Sequence, residues 1–497
     1  MMAHPAWGRL TALSAAMVAV MAVAQPALAL DIGGGISIGA IYSDNVTLAP
    51  SGQEDGDTIF RADPSIYIAS VGRRYDFRLD YTLEALRYQD RSDTSAYSQG
   101  NVKLDVGIIP EHLFLNSSAS IAQVVIDPEA PFSNSNLPEI NNRTDAIRYQ
   151  AGPQWRQDFL GTSLNVRYDV GRVDYDDETL QDSDFQTMQT DWTGPEKAHG
   201  LTWAVHHEYL KYEYDFSPSA ERQLAELSLI YEMNGGWAPF VSGGMESDVH
   251  DRTSADLEDG IWRAGLRRKT DRTFFEAYGG ERSFGSSWGA SFQRQYSARS
   301  GDILRLSYDE APRTDEDLST TMSRPVEPTV GTGSDDTTPT GPPTPVIPSP
   351  TLPPNTHAPG TGRYYLDKRA NFLLAKAFNR NSVSLNLFYS DEETLDEGPA
   401  QDSDDTRQTG ASFVWVYNIG VRTHSTLDGY YAKRRFSRVL AEDDEDDLFR
   451  VRLGLTYQLG AKTNLNGWVG REERSGSDVG TNNYTENQVG LAIGRTF

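Results

Sequence analysis

The chain has no cysteine among its 497 residues, so a disulfide framework, a thiolate metal site and a cysteine nucleophile are all excluded. Beyond residue 29 it also lacks any apolar run of the roughly 18 residues that a membrane-crossing helix needs. Hydrophobic residues make up 38%, little for one large soluble core, and 45 Lys and Arg face 71 Asp and Glu, a net charge of −26. That balance excludes a nucleic-acid binder, because neutralising phosphates takes cations. His-Glu-x-x-His does not occur, and His206 and His207 are adjacent, so on a strand they point to opposite faces and cannot share a metal. Neither an enzyme nor a cofactor is expected from these absences.

What is present begins with an amino-terminal export signal. Arg9 precedes the apolar run Leu10 to Val23, and Ala27-Leu28-Ala29 forms a small-residue cleavage site, so residues 1–29 read as a signal peptide. From residue 30 to 497 the chain alternates. Tyr75, Phe77, Leu79, Tyr81, Leu83 and Ala85 are interleaved with Asp76, Arg78, Asp80, Thr82 and Glu84. Phe449 to Leu459 repeats the pattern against Arg450, Arg452, Thr456 and Gln458. The chain ends on Val489, Leu491, Ile493, Arg495 and Phe497 set against Gly490, Ala492, Gly494 and Thr496, the pattern of a last barrel strand with its terminal aromatic. Arg495 departs from the apolar set and is expected to snorkel at the interface.

Such segments recur about every 20 residues, and aromatics reach 10% with 24 Tyr and 9 Trp, the composition of interfacial girdles. The fold predicted is all-β: a transmembrane antiparallel up-and-down β-barrel of about 20–22 strands in the bacterial outer membrane of a Gram-negative host. The segments Asp184 to Thr193 and Lys197 to Tyr214 alternate least and leave the count open. Connections alternate short and long. Gly72 to Arg74, Pro110 to Glu111, Leu160 to Gly161 and Gly460 to Lys462 are tight; Thr47 to Gly56, Asp127 to Asn142, Tyr175 to Asp182 and Glu392 to Asp404 are long and read as acidic external loops. Both termini are then periplasmic. TonB-dependent transporters of this width hold a plug; here the first strand starts near Gly33, and no plug domain is expected.

Ala311 to Gly362 interrupts the rhythm with 12 of the chain's 25 Pro and reads as a disordered extracellular loop inserted in the barrel. Gly35-Ile36-Ser37-Ile38-Gly39 fits a hydrolase nucleophile pattern, but it lies within the first strand with no helix after it, so small lumen-facing residues are the better reading. The acidic run Glu442 to Asp447 offers oxygen ligands for Ca²⁺ without an EF-hand spacing, and a solvated loop is preferred. The chemistry therefore rests on the lumen wall, for which Asp76, Arg78, Asp80, Glu84, Arg148, Gln150, Gln154, Arg156, Arg167, Asp169, Arg450, Arg452 and Gln458 are the candidates. They either pair across a hydrated channel or satisfy each other around a lumen filled by folded-in loops.

Tyr42-Ser43-Asp44-Asn45-Val46-Thr47-Leu48-Ala49-Pro50-Ser51-Gly52, Asp80-Tyr81-Thr82-Leu83, Asn142-Arg143-Thr144, and Asp182-Ser183-Asp184 followed by Gly194-Pro195 resemble the outer-membrane barrel proteins associated with PEP-CTERM and exosortase systems and with exopolysaccharide gene clusters. The resemblance covers Asp31 to Asp309 by motif and the rest by strand rhythm, and the Pro-rich insert departs from it. It implies a role in exopolysaccharide secretion, as the barrel through which polymer leaves. The partners expected are outer-membrane lipid, the barrel-assembly machinery, polysaccharide and periplasmic export proteins. A general diffusion porin and an adhesive surface barrel are the alternatives.

Overall fold

Strands with one apolar and one charged face leave no room for an open edge in lipid, since every backbone N–H and C=O must find a partner. The computed structural model meets this by closure. It describes residues 30–91, 94–133, 135–195, 200–250, 257–296, 302–316, 357–395, 404–438, 444–476 and 483–497. Residues 1–29, expected from the sequence to be a signal peptide, the centre of the Pro-rich stretch (317–356), and Glu442 and Asp443 lie outside these residues.

The sheet has 22 strands. In chain order they are β1 (Leu30–Ser43), β2 (Asp57–Val71), β3 (Tyr75–Tyr88), β4 (Thr94–Ile109), β5 (Leu113–Val125), β6 (Arg143–Phe159), β7 (Thr162–Tyr175), β8 (Ser183–Thr193), β9 (Gly200–Tyr214), β10 (Ala220–Glu232) and β11 (Trp237–His250). The second half comprises β12 (Leu257–Lys269), β13 (Thr273–Arg282), β14 (Gly285–Gln295), β15 (Ile303–Thr314), β16 (Tyr364–Ala377), β17 (Asn381–Thr394), β18 (Asp404–Asn418), β19 (Thr423–Arg438), β20 (Asp444–Gly460), β21 (Thr463–Gly476) and β22 (Tyr484–Thr496). Each pairs antiparallel with its sequence neighbours, and β1 pairs with β22 from Gly35 opposite Thr496 to Ser43 opposite Gln488. The two weakly alternating segments form β8 and β9.

Most short connections lie at one end with Leu30 and Phe497, here termed the turn end, and most long ones at the other, the loop end; the exceptions are the two-residue connection between β13 and β14 at the loop end and residues 296–302 between β14 and β15 at the turn end. At the Leu160–Gly161 turn both residues have positive φ, 51° and 80°, the geometry of a two-residue hairpin turn matched to strand twist. Alternation assigns side chains to the two faces. Leu453, Leu455, Tyr457 and Leu459 are exposed on the outside, whereas Glu84, Gln154, Asp169 and Glu226 on the other face are buried. Aromatic girdles flank the apolar belt. Near the turn end Trp192 meets Trp203 edge-on at 5.0 Å, and near the loop end Trp288 stacks on Tyr308 at 3.8 Å. Arg495 is exposed on the outer face of β22, at the turn-end rim.

Two stretches differ from the sequence expectation. Asp444 to Asp447 of the acidic run, expected in a solvated loop, open β20, with Asp446 buried by its pairing to Arg434 of β19. Ala311 to Thr314 continue β15 rather than entering the loop, with Pro312 opposite Leu366, because alternation persists there and the ladder to β16 needs it.

Leu453 sits midway along the outer face of β20. Leu453→Arg is expected to destabilise the barrel in vesicles by ~2–4 kcal/mol, whereas the inward Thr456→Arg has a far smaller effect. Urea titration of folded protein in lipid vesicles measures both.

Candidate functional site: the lumen and its loop-end closure

Because strand register runs without slippage through the membrane-spanning stretches, one parity decides which side chains point inward on every strand. It places all the candidate wall residues on the inward face. On β3, Arg78 reaches Asp76 at 3.1 Å, Asp80 is exposed to the lumen, and Glu84 is buried, with Arg61 at 3.2 Å. On β6 and β7, Arg148 lies 4.0 Å over the Phe185 ring, and Gln154 donates to Asn165 at 2.7 Å while accepting from Arg156 at 3.1 Å. Gln150 is half-buried beside them, and Arg167 donates to Asp169 at 2.5 Å. On β20, Arg450 stands 3.9 Å from Asp428, and Arg452 covers the Trp468 ring at 3.9 Å. Gln458 reaches the turn end.

These residues occupy only the half of the wall that runs from β20 through the closure to β7. The other half carries pairs that sequence reading passed over. Glu226 binds Arg263, Glu246 binds Arg282, and Asp367 lies between Arg313 at 2.8 Å and Arg369 at 2.6 Å. The signal was available: Leu227, Leu229 and Tyr231 point outward and Glu226 inward by the same alternation. His206 points inward to Asp191 at 2.8 Å, while His207 on the opposite face meets Gln223. Gly35, Ser37 and Gly39 face the lumen. Among the described residues no group of three His, Asp or Glu could hold a metal, and Glu445 and Asp446 of the acidic run engage Lys433 and Arg434 instead.

The decisive element is a loop. The connection Asp127 to Asn142 was expected to be external; it folds into the barrel because it carries Phe132, Leu137 and Ile140, which cannot stay in water as a group. Asn142 ties its neck, donating to the carbonyls of Asp127 at 2.7 Å and Pro131 at 3.1 Å. Phe132 packs with Phe388, Tyr430 and Leu448 on the far wall. There Arg434, wholly buried, donates to Asp446 at 2.8 Å and to the Pro128 carbonyl at 3.0 Å. Arg474 meets the same Asp446 at 2.7 Å and donates to the carbonyls of Glu129 and Ala130. Tyr484 contacts the Phe132 carbonyl at 2.6 Å, and Ser133 donates to Glu472 at 3.2 Å. The loop's second half is fixed by Asn136 on Glu84 at 2.7 Å, Tyr88 on the Leu137 carbonyl at 2.9 Å, and an ion pair of Glu139 with Arg91. That bond raises the Arg91 pKa against the opposing effect of desolvation.

A second piece folds inward at the same end. The described ends of the Pro-rich segment lean across to β7–β10. Tyr175 donates to Glu316 at 2.9 Å, and the Asp315 carboxylate accepts from the Thr361 hydroxyl at 2.8 Å and the Gly362 amide at 3.1 Å. Burial pushes the Asp315 carboxyl up, opposed by these bonds. Gly360, at φ 67°, lies so close to Gln181 that a Cβ would meet its carbonyl at 2.8 Å. At the turn end, by contrast, a polar cavity of about 580 Å³ opens between β19–β22 and β1–β3.

No family model matches the chain, and no curated protein does. Solved structures do. The FrpB iron transporter from Neisseria meningitidis aligns over 94% of this chain and 82% of its own, at 10% identity and a TM-score of 0.51. The ferric enterobactin receptor PfeA from Pseudomonas aeruginosa aligns over 94% and 80%, at 11% identity and 0.48. A loop-deletion mutant of OmpT, an outer membrane protein of Vibrio cholerae, aligns over 95% and 100%, at 9% identity and 0.32. The fold is that of an outer-membrane β-barrel. At such identity the likeness concerns architecture alone. Among the described residues no separate plug domain fills the lumen; the chain's own loops do.

The absence of cysteine makes the loop testable. Ser133→Cys, at a wholly buried site, should resist maleimide in an otherwise native barrel. Adding Arg434→Ala should expose it, since breaking a buried pair costs about 3–5 kcal/mol. Equal labelling with and without Arg434→Ala would mean that the clasp does not hold the loop.

Proposed function

We propose that this outer-membrane barrel is a conduit for exopolysaccharide, held closed at the loop end by Asp127 to Asn142 and opened when that loop leaves the wall. The coarse part of this reading, a large barrel with a channel-like polar lumen, follows from the fold. The observation that carries the finer part is the contrast between the two ends. At the loop end the segment Asp127 to Asn142 is held across the lumen by specific contacts, with the ends of the Pro-rich segment folded in beside it, while the turn end holds an open cavity lined largely by hydroxyl and amide side chains. Serine, threonine, asparagine and glutamine side chains offer the paired donors and acceptors that sugar hydroxyls match, and Trp468 adds an aromatic face inside the wall. The sequence resemblance to exopolysaccharide-associated barrels supports the same direction. A general diffusion porin would need a lumen open at both ends.

Two measurements test the proposal. In planar bilayers the native protein should show little steady conductance, and a variant with Pro128 to Glu139 replaced by a short Gly-Ser linker should open in large steps. Large, steady conductance from the native chain would favour the porin instead. In cells, deleting the gene should trap polymer in the periplasm; normal export from the deletion strain would overturn the conduit reading.

A further inference from the structure

The turn-end cavity has a charge character opposite to that of the whole chain. The protein carries −26, yet the cavity lining includes Arg422, Lys462 and Arg495 and a single carboxylate side chain, Asp63. That carboxylate is already held by Arg61 at 2.8 Å. Arg422 and Lys462 are exposed at the mouth, and neither head is paired with a carboxylate among the described residues. They follow a wider trend: the described turn-end connections carry Arg73, Arg74, Arg272 and Arg380 as well, against Glu111, Asp271 and Asp302. Acidic residues instead crowd the loop end. Cations placed so unevenly in an acidic protein create a positive mouth whose field draws anions to it.

The walls add a second requirement. Ser37, Ser65, Thr82, Thr456, Asn464 and Asn466 line the cavity, presenting neutral donors and acceptors along its length. A small inorganic anion would use the cations and leave these walls idle; a neutral sugar chain would use the walls and leave the cations idle. A chain of sugars bearing carboxylates uses both. Two inward positions further along β20 from Thr456, Arg452 lies on the Trp468 ring, so a sugar ring moving inward from the mouth next reaches a cation backed by an aromatic face.

We propose that the turn-end cavity is the entry site for an acidic polysaccharide, its carboxylates met by Arg422 and Lys462 and its hydroxyls by the Ser, Thr and Asn walls. The proposal rests on the conduit reading and narrows it to anionic polymers. It is tested with the full chain in detergent micelles, titrated calorimetrically with a linear oligouronate and with a length-matched neutral dextran oligomer. The oligouronate should bind and the dextran should not. Arg422→Gln combined with Lys462→Gln should weaken the oligouronate by about tenfold or more, a tenfold rise in salt should weaken it as well, and Arg380→Gln, on a turn outside the cavity, should leave it unchanged. Equal binding of the two oligomers, unaltered affinity in the double variant, or no binding of the oligouronate would each overturn the assignment. Polymer trapped in the deletion strain would in those cases still leave the conduit itself standing.

Discussion

Everything in this molecule depends on the pairing of β1 with β22. In hydrocarbon an unpaired backbone N–H or C=O costs several kcal/mol, so a sheet of this width is viable there only when its first and last strands meet. The ladder from Gly35 opposite Thr496 to Ser43 opposite Gln488 supplies that meeting. Once the ring is closed, register cannot slip on one strand without turning that strand's charges toward lipid. The division between an apolar outer wall and a charged inner wall is thereby fixed around all 22 strands, and every later feature is an arrangement of inward side chains.

The charged interior follows from the same constraint. Many inward carboxylates and guanidiniums are satisfied locally, two positions apart on one strand or across a single intervening strand: Arg167 with Asp169, and Arg263 of β12 with Glu226 of β10 over Gly244 of β11. At the loop end this local solution fails. Arg434 and Arg474 share the single carboxylate of Asp446, leaving the group one positive charge in excess. The carbonyls of Pro128, Glu129 and Ala130 and the face of Phe132, 5.1 Å from Arg434, take up that excess. The in-folded loop is thus part of the wall's electrostatic balance, and its departure would have to be compensated by water or by a ligand.

How far the sequence exposes this structure follows from the range of each interaction. Strands and the sorting of short and long connections are legible because lipid and lumen impose a period of two on every strand, visible in Phe449 to Leu459 without any knowledge of partners. The wall candidates from Asp76 to Gln458 are legible for the same reason. The clasp is not: Arg434, Asp446 and Arg474 look like ordinary alternating charges, and their meeting with residue 128 depends on a chain reversal across the whole lumen. A local clue did exist in Phe132, Leu137 and Ile140, apolar residues in a connection whose counterparts are acidic. Three of the motifs that carry the resemblance contain loop fasteners, whereas Asp80 to Leu83 lies in the middle of β3. Asn45 brackets Ala49 through bonds of 2.8 and 2.9 Å, Asn142 ties the in-folded loop, and Asp182 binds Arg172 at 3.1 Å.

The closing strands also determine where the interior stays open. Inward positions of β1 and β22 hold Gly35, Ser37, Gly39, Gly490, Ala492 and Gly494, and close approach leaves little choice: a Cβ on Gly39 would meet the Leu491 carbonyl at 2.7 Å, and one on Gly490 would meet the Trp468 ring at 2.5 Å. Small residues let the two ends of the chain pair tightly, and the same small residues withdraw side-chain volume from that arc of the lumen. The cavity lies along this seam, with Gly35, Ser37 and Gly494 in its lining. Trp468, seated on Gly490, turns its other face to Arg452. Closure of the sheet and access to its interior therefore arise from one sequence property, and a bulkier seam would impair both together.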